Sequence, residues 1–228
     1  MIRTTFTALA LGLAAACAPA VLAADLRAKQ EPRQEPAQTG YFFVHAGVAG
    51  LALDESAEIY AAGYRIPKGD IEVKSHVTFA VEAGYMFTPN IGVSFTGGFP
   101  PSVKIEAAGS MEGMGRVGAT TYGPMTLTAH YHFTELGRLQ PYVGIGAAFM
   151  HVFDETDGLM GKLSLDDAMG VAFQIGADYM ITDHWGVFVD VKKAILRTQA
   201  TGYLGPAPLR ADVKLDPLVL HTGVTLRF

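Results

Sequence analysis

Apolar and polar residues alternate with a period of two along residues 170–192, and this pattern predicts a β-hairpin. On both sides of a central loop, odd-numbered positions are apolar and even-numbered ones are mostly small or polar. Successive strand side chains point to opposite faces, so each half has an apolar and a polar face. The loop, residues 182–184, has a common hairpin length and keeps both apolar sets on one face. The expected register places Gln174 opposite Lys192.

The same alternation predicts six further strands, which gives eight in all. They are residues 41–53, 75–87, 91–99, 121–133, 141–153 and 214–228. Short links alternate with four segments that are predicted as long loops: 53–74, a region marked by Pro100, Pro101 and the Gly/Met-rich residues 109–118, then 154–167 and 197–213. An even strand number with alternating loop lengths is typical of outer-membrane barrels.

Two architectures use such strands, a soluble sandwich and a membrane barrel. A sandwich buries the apolar face, but it has no reason to alternate its loop lengths. A barrel turns the apolar face to lipid and closes on itself, which removes the exposed strand edges. Aromatic residues near the short turns fit a membrane interface: Tyr85, Phe87, Phe133, Tyr142, Tyr179, Trp185 and Phe228. The sequence therefore predicts an all-β fold, an eight-stranded antiparallel transmembrane β-barrel (up-and-down), in contact with outer-membrane lipids.

The first residues add a targeting signal to this interpretation. Arg3, a short apolar run and small residues before Ala24 are typical of a cleaved secretory signal peptide. We expect a signal peptide at 1–23, a flexible periplasmic tail at 24–40 and the barrel at 41–228, with both termini in the periplasm. Lipoprotein cleavage before Cys17 is a weaker alternative, because no bulky residue stands three positions earlier. The tail could alternatively tether the barrel to another envelope component.

Composition excludes several classes of function. The chain has 228 residues, a formal charge of -5 and one cysteine, which leaves with the signal peptide. Disulfides and cysteine-based metal or nucleophilic sites are then excluded from the mature chain. The absence of a basic stripe argues against nucleic acid as a partner. No apolar run is long enough for a transmembrane helix.

Several stretches, in order along most of the chain, resemble the OmpW family of small outer-membrane barrels. They are NIGVSFTGGFPPSVKI (90–105), PMTLTAHYHF (124–133), QPYVGIG (140–146), LSLDDAMGVAFQIGADYMI (163–181) and VKLDPLVLHTGVTLRF (213–228). The resemblance implies a largely apolar lumen that carries small hydrophobic molecules across the outer membrane. The positions that match the family's lumen-narrowing residues are Thr96 and Met169; Met169 keeps the apolar character and Thr96 does not. The terminal Phe228 looks like the signal read by the barrel-assembly machinery, an expected partner.

An eight-stranded barrel is barely wide enough for its own side chains, so inward polar residues are expected to fill the lumen. Burial favours their pairing with one another, and a regulated gate or solute path is the alternative. The predicted polar network comprises Glu82, Gln174, Asp178, Asp190, Lys192, Arg227, His130 and His132. The predicted solute path comprises an apolar lining from Met86, Met169 and Phe188, the position Thr96, and space left by Gly144 and Gly146.

Chemistry beyond transport has little support in the sequence. His130 and His132 share an inward face, but no third ligand is identifiable by spacing, so no metal site is predicted. Ser94 and these histidines suggest a catalytic group only in outline, so neither an enzyme nor a cofactor is expected. The predicted function is a channel assisting passage of small hydrophobic molecules. The alternative is a plugged barrel whose extracellular loops bind a host, phage or bacteriocin partner.

Overall fold

A computed structural model describes residues 40–53, 55–73 and 76–228. The predicted signal peptide and almost all of the predicted tail lie outside the described residues. The strands, in chain order, are β1 (Tyr41–Ala52), β2 (Glu55–Ala61), β3 (Tyr64–Arg65), β4 (Gly69–Val73), β5 (His76–Met86), β6 (Ile91–Gly98), β7 (Ser102–Gly109), β8 (Arg116–His132), β9 (Leu139–Asp157), β10 (Gly161–Leu165), β11 (Ala168–Met180), β12 (Trp185–Leu204), β13 (Ala207–Leu215) and β14 (Leu218–Arg227). No helix in this part of the chain is long and apolar enough to cross a bilayer.

Eight of these strands form a closed antiparallel ring, which confirms the predicted barrel. Around the ring the order is β1, β5, β6, β8, β9, β11, β12 and β14, and β14 pairs back with β1. The predicted hairpin is β11–β12, and its register places Gln174 opposite Lys192 and Ile175 opposite Val191 as expected. The described N-terminal end, the C-terminus and the short turns share one end of the barrel. We assign this end to the periplasm, as is usual for such barrels.

Two short turns use the same local chemistry. The hydroxyl of Thr88 accepts a hydrogen bond from the Ile91 N–H at 2.9 Å. Likewise, the hydroxyl of Thr182 accepts one from the Trp185 N–H at 3.1 Å. A threonine that begins a three-residue link thus closes the turn with its own side chain. This chemistry holds neighbouring strands close at the periplasmic end.

Three of the four predicted long loops, 53–74, 154–167 and 197–213, are mostly strands, and that part of the sequence interpretation is wrong, whereas residues 110–115 of the remaining one do connect two strands as a loop. Strands β2, β3, β4, β7, β10 and β13, with the upper parts of β8, β9 and β12, extend the wall beyond the lipid-facing band. In this extension the apolar side chains Ile59, Leu163 and Val213 point inward and are buried. Outward apolar alternation, the pattern used to find strands, is therefore lost here. The predicted last strand also divides, because β13 ends at Leu215 and β14 begins at Leu218.

Polar side-chain pairs on the outer surface mark where its apolar part ends. The Arg197 guanidinium lies 2.7 Å from a carboxylate oxygen of Asp216, and His151 Nδ1 lies 2.8 Å from a carboxylate oxygen of Asp167. Nearer the periplasmic end, outward positions such as Ile145 are exposed and apolar. These pairs therefore define the extracellular boundary of the lipid-facing band, and the extension lies beyond it.

Candidate functional site

The periplasmic half of the lumen is filled by a set of buried polar side chains that we call the polar floor. Inward positions of the ring strands supply it, so that side chains distant in sequence meet at one level of the barrel. Its members are His45, Glu82, Ser94, Thr128, His130, His132, Gln174, Asp178, Asp190, Lys192, His221 and Thr225, all buried, together with partly buried Arg227.

Lys192 is the centre of the polar floor. Its ammonium nitrogen lies 2.8 Å from a carboxylate oxygen of Glu82 and 2.6 Å from one of Asp190. The Gln174 amide donates a 2.9 Å hydrogen bond to the same Asp190 carboxylate. The Ser94 hydroxyl donates to Glu82 at 2.5 Å. Because a buried charge is costly unless it is paired, this network of five side chains stabilises three charged groups that could not be buried separately.

A second ion pair lies nearer the periplasm. The Arg227 guanidinium lies 3.0 Å from one Asp178 oxygen, and His45 Nε2 lies 3.0 Å from the other. The His45 ring stacks on Phe188, with the ring centres 4.2 Å apart and the planes inclined by 9°. Arg227 also donates a 2.6 Å hydrogen bond to Gln140 near the turn between β8 and β9. Ionic and aromatic contacts together close this end of the lumen.

His130 and His132, which were predicted to face the lumen, pack against Tyr142, which was predicted to lie at the membrane interface. His132 Nε2 and His130 Nδ1 lie 3.1 Å apart, and Tyr142 stacks on His132 with ring centres 4.6 Å apart. Tyr142 is 1% exposed and its hydroxyl donates a 3.2 Å hydrogen bond to Asp190. Its predicted place among the interfacial aromatics is therefore wrong. Even-numbered residues of β9 face the lumen, so residue parity alone indicates that Tyr142 points inward. The expectation that aromatic residues near short turns lie at the membrane interface gave the opposite result.

Three residues of the polar floor come close to a metal-binding arrangement. Donor atoms of His45, Glu82 and Asp190 lie within 4.8 Å of one another. The Lys192 ammonium already bonds both carboxylates, so a cation at this position would have to displace it. The arrangement is therefore satisfied by an ion pair formed within the protein.

Above the polar floor lies an enclosed space that we call the apolar cavity, with a volume of about 160 Å³. It extends from the middle of the ring into the strand extension. Its lining is almost entirely apolar and includes Ala49, Leu51, Ile59, Ile71, Val73, Ala80, Val103, Ile105, Met111, Tyr122, Ala148, Met150, Met160, Leu163, Ala194, Leu196, Leu209, Val213 and Leu215. Lys192 contributes to the lining at the base, where the cavity meets the polar floor.

Alanines, not the predicted glycines, make the space at the base of the cavity. The inward positions directly above the polar floor are Ala49, Ala80, Ala148 and Ala194, and all four line the cavity. Gly144 and Gly146 do not line it, so their predicted role in leaving space there is wrong. A methyl group at Gly146 would overlap the Leu127 carbonyl oxygen, and one at Gly144 would lie 3.3 Å from the His130 Cβ atom. These glycines let neighbouring strands and side chains pack closely.

The predicted apolar lining is also wrong in detail. Met169 is 70% exposed and lies on the outward face of β11, since it shares odd parity with Val171. Met86 and Phe188 point inward and are buried, but they lie at or below the polar floor and do not line the cavity. Thr96 does line it, together with Thr126 on the neighbouring strand.

The barrel wall has a weak place beside the cavity, which we call the wall seam. The β6–β8 ladder stops at the pair Gly97–Met125, and the β7–β8 ladder begins only at Ser102–Thr121. Prolines 100, 101 and 124 lie between these pairs, and proline has no N–H to donate to a ladder. Gly97 and Met125 stand at outward positions, yet both line the cavity. Residues of the outward face therefore contribute to the cavity at this level.

The predicted interfacial aromatics lie at the periplasmic end. Four of them are exposed: Phe87, Phe133, Trp185 and Phe228. Tyr85 is partly covered, because its ring packs against Phe42 and Phe87 with centres 4.8 and 5.2 Å away. Their placement is the one that the sequence pattern indicates, and their role in anchoring the barrel to the membrane interface stays a prediction.

Several members of the polar floor were not assigned to the network from sequence. They are His45, Ser94, Thr128, His221 and Thr225. All of them occupy the inward parity of their strands, so parity alone was enough to place them in the lumen. Their level along the barrel, which decides which of them meet, depends on the stagger of eight strands and is not contained in the alternation.

Comparison with known proteins agrees with this architecture. The model of the OmpW family matches residues 38–228. The dibenzothiophene metabolism operon protein PahQ of Pseudomonas aeruginosa is 32% identical over 182 residues, covering 80% of this chain and 86% of PahQ. Outer membrane protein AlkL of Ectopseudomonas oleovorans is 32% identical over 175 residues, covering 77% of this chain and 76% of AlkL.

Solved structures give the same fold. The crystal structure of the outer membrane protein OprG from Pseudomonas aeruginosa superimposes with a TM-score of 0.78 at 24% identity, covering 84% of this chain and 97% of OprG. The solid-state NMR structure of AlkL in lipid bilayers superimposes with a TM-score of 0.69 at 28% identity, covering 87% of this chain and 95% of AlkL. OprG and AlkL are both outer membrane proteins.

Proposed function

This chain belongs to the OmpW family of outer-membrane barrel proteins of Gram-negative bacteria, and we propose that it assists the passage of small hydrophobic molecules across that membrane. The observation that carries the proposal is the apolar cavity, which lies in a barrel whose periplasmic half is filled. An apolar molecule that enters gains about 25 cal/mol for each Å² of apolar surface removed from water. The cavity is therefore suited to collecting such molecules on the extracellular side.

The volume of the cavity indicates the size of solute. In another protein, a dry apolar cavity of about 150 Å³ binds benzene, and the cavity here has about 160 Å³. The relative PahQ is named for an operon of dibenzothiophene metabolism. Dibenzothiophene is an apolar aromatic molecule, and this supports apolar aromatics as one class of solute for the present chain.

We propose that the solute leaves through the wall seam and not along the barrel axis. Axial passage would require Lys192 to separate from Glu82 and Asp190, and breaking a buried ion pair costs about 3–5 kcal/mol. At the wall seam the ladder is interrupted, a 3.3 Å hydrogen bond from the Tyr122 N–H to the Pro101 carbonyl crosses the gap, and the cavity lining includes the outward residue Met125. A solute that passes there enters the bilayer without meeting a polar group of the floor.

The alternative, a plugged barrel that binds a host, phage or bacteriocin partner, has two observations in its favour. The polar floor closes the axial path, and the strand extension carries a groove of about 570 Å³. Tyr60, Tyr203, Lys162 and Arg210 are among the residues lining that groove. A binding barrel would need no route for an apolar solute, so a transport measurement separates the two functions.

The test compares two tryptophan variants of neighbouring residues. Ala194→Trp fills the base of the cavity, whereas Ile195→Trp adds the same side chain to the lipid-facing side of β12. Cells that contain a cytoplasmic naphthalene dioxygenase and this barrel are supplied with naphthalene, and its initial consumption is measured. We expect Ala194→Trp to lower the rate to that of cells without the barrel, and Ile195→Trp to leave it unchanged.

Two controls make the result specific. Permeabilising the outer membrane must give all cells the same rate, which shows that the dioxygenase is unaffected. The heat-modifiable electrophoretic migration of each variant shows whether it has folded, and Val213→Phe replaces Ala194→Trp if that variant does not fold. Equal consumption by cells with and without the wild-type barrel would contradict transport.

A further inference from the structure

We propose that the base of the apolar cavity contains a subsite for one uncharged oxygen function, so that the preferred solutes are small apolar molecules bearing a single alcohol or carbonyl group. The inference rests on the proposed function, because it concerns a solute bound in the same cavity. It is drawn from two hydroxyl groups, those of Thr96 and Thr126.

These two threonines face each other across the ladder between β6 and β8. Thr96 and Thr126 are directly paired residues, and both line the cavity. Directly opposed residues have Cβ atoms about 4.5–5.5 Å apart, so rotation of both side chains about χ1 would bring the two hydroxyls within reach of one small ligand atom. Within the part of the chain that the structure describes, both Oγ1 atoms are buried and neither has a hydrogen-bond partner. A buried hydroxyl in that state is unusual and costs free energy.

The next pair of residues down the same two strands shows the contrast. Ser94 and Thr128 are also directly opposed, and their hydroxyl oxygens lie 3.0 Å apart. Ser94 donates to Glu82, and the Thr128 hydroxyl donates to the Gln174 side-chain oxygen at 3.0 Å. The polar floor therefore satisfies its own hydroxyls. The pair above it, at the boundary with the apolar cavity, has hydrogen-bonding capacity that a ligand can use.

The charges below the threonines select an uncharged group. The polar floor below them contains three carboxylates, Glu82, Asp178 and Asp190, and its cations Lys192 and Arg227 are both bonded to these groups. The Lys192 ammonium is already bonded to two carboxylates. An anionic head group would therefore find no unpaired cation among the residues of the polar floor. A carbonyl oxygen accepts from both threonines, and an alcohol accepts from one and donates to the other.

The test uses toluene and benzyl alcohol, two molecules of similar size that differ by one hydroxyl group. Their dissociation constants are measured by NMR for the full chain in nanodiscs, with empty nanodiscs as the reference for partitioning into lipid. The variants are Thr96→Val with Thr126→Val, which keeps shape and removes both hydroxyls, and Thr96→Ser with Thr126→Ser, which keeps the hydroxyls.

We expect the preference for benzyl alcohol over toluene to fall roughly fivefold for each hydroxyl removed, as expected for a neutral hydrogen bond. The serine double variant should retain the preference, and toluene should bind the wild type and the valine variant equally. If both ligands bind every variant with an unchanged ratio, the subsite is refuted and the proposed function stands. If neither ligand binds the wild type, both proposals are contradicted.

Discussion

The polar floor and the apolar cavity are built on the same strands, and two residues along the chain separate one from the other. On β12 the inward side chain changes from Lys192, bonded to Glu82 and Asp190, to Ala194, which lines empty space. An eight-stranded barrel has room for little more than its own side chains. The size of the inward residue at each level therefore decides whether the lumen is filled or open. Long, mutually paired polar groups fill the lower level, and alanines open the upper one.

The largest expected effect comes from breaking the polar floor. Lys192→Met removes the cation between Glu82 and Asp190 and leaves two buried carboxylates without their shared partner. Loss of one member of a buried ion pair costs about 3–5 kcal/mol, and we expect that decrease in the free energy of unfolding, measured with urea in lipid vesicles. Lys193→Met is the matched control, since its ammonium lies outside the polar floor and donates to the Asp216 carbonyl oxygen at 2.5 Å. Equal stability of the two variants would show that the Lys192 network does not hold the floor together.

A smaller effect is expected when valine replaces either of two threonines on β8, and the two changes in unfolding free energy should differ. Thr128→Val removes the hydroxyl between Ser94 and Gln174 in the polar floor. Leaving a buried partner unsatisfied costs about 1–3 kcal/mol. Thr126→Val removes a buried hydroxyl that has no partner among the described residues, so we expect no loss of stability. The same urea titration measures both, and a larger loss for Thr126→Val than for Thr128→Val would contradict the division between floor and cavity.

The smallest effect concerns the strand extension that surrounds the upper cavity. Asp157 on β9 accepts a 3.0 Å hydrogen bond from the Leu163 N–H on β10, and the Leu163 and Lys162 N–H groups lower its pKa from the ordinary value of 3.8. The ionised carboxylate therefore stabilises the β9–β10 link above about pH 4. That stabilisation is lost as the pH falls through the lowered pKa.

The Leu163 amide resonance reports this titration directly. We expect its chemical shift to change with a midpoint below 3.8 and Asp157→Asn to abolish the change. The contact would be disproved by a midpoint at or above the ordinary aspartate value. Neither result would alter the polar floor, which lies in the membrane-spanning part of the barrel.

The sequence predicted the ring because lipid and lumen impose opposite polarity on alternate residues. The register of β11 and β12 followed from a three-residue turn and from parity. The strand extension was missed because its apolar side chains, such as Leu163 and Val213, point inward and its outward positions are polar. The rule that identifies lipid-facing strands does not apply to it.

The sequence was enough to predict which residues of the candidate site face the lumen, but not how high along the barrel axis each of them lies. Parity placed Glu82, Asp190 and Lys192 in the lumen, and burial of charge predicted their pairing. The odd number of Met169 places it on the outward face of its strand, and it is indeed exposed. The family resemblance suggested a lumen position instead, and that prediction was wrong. The division into floor and cavity depends on the stagger between strands, which brings Ala80, Ala148 and Ala194 to one level. The alternation within a single strand does not specify the stagger between strands, so it cannot predict that these alanines meet.

The central claim is that solute occupies the apolar cavity and stops above the polar floor. Nuclear Overhauser effects between naphthalene and methyl groups of the barrel in nanodiscs with deuterated lipids measure this directly. We predict effects to the methyl groups of Leu196 and Met150, which line the cavity, and none to the Met86 methyl group below it. Effects to Met86, or the absence of effects to Leu196 and Met150, would contradict the account.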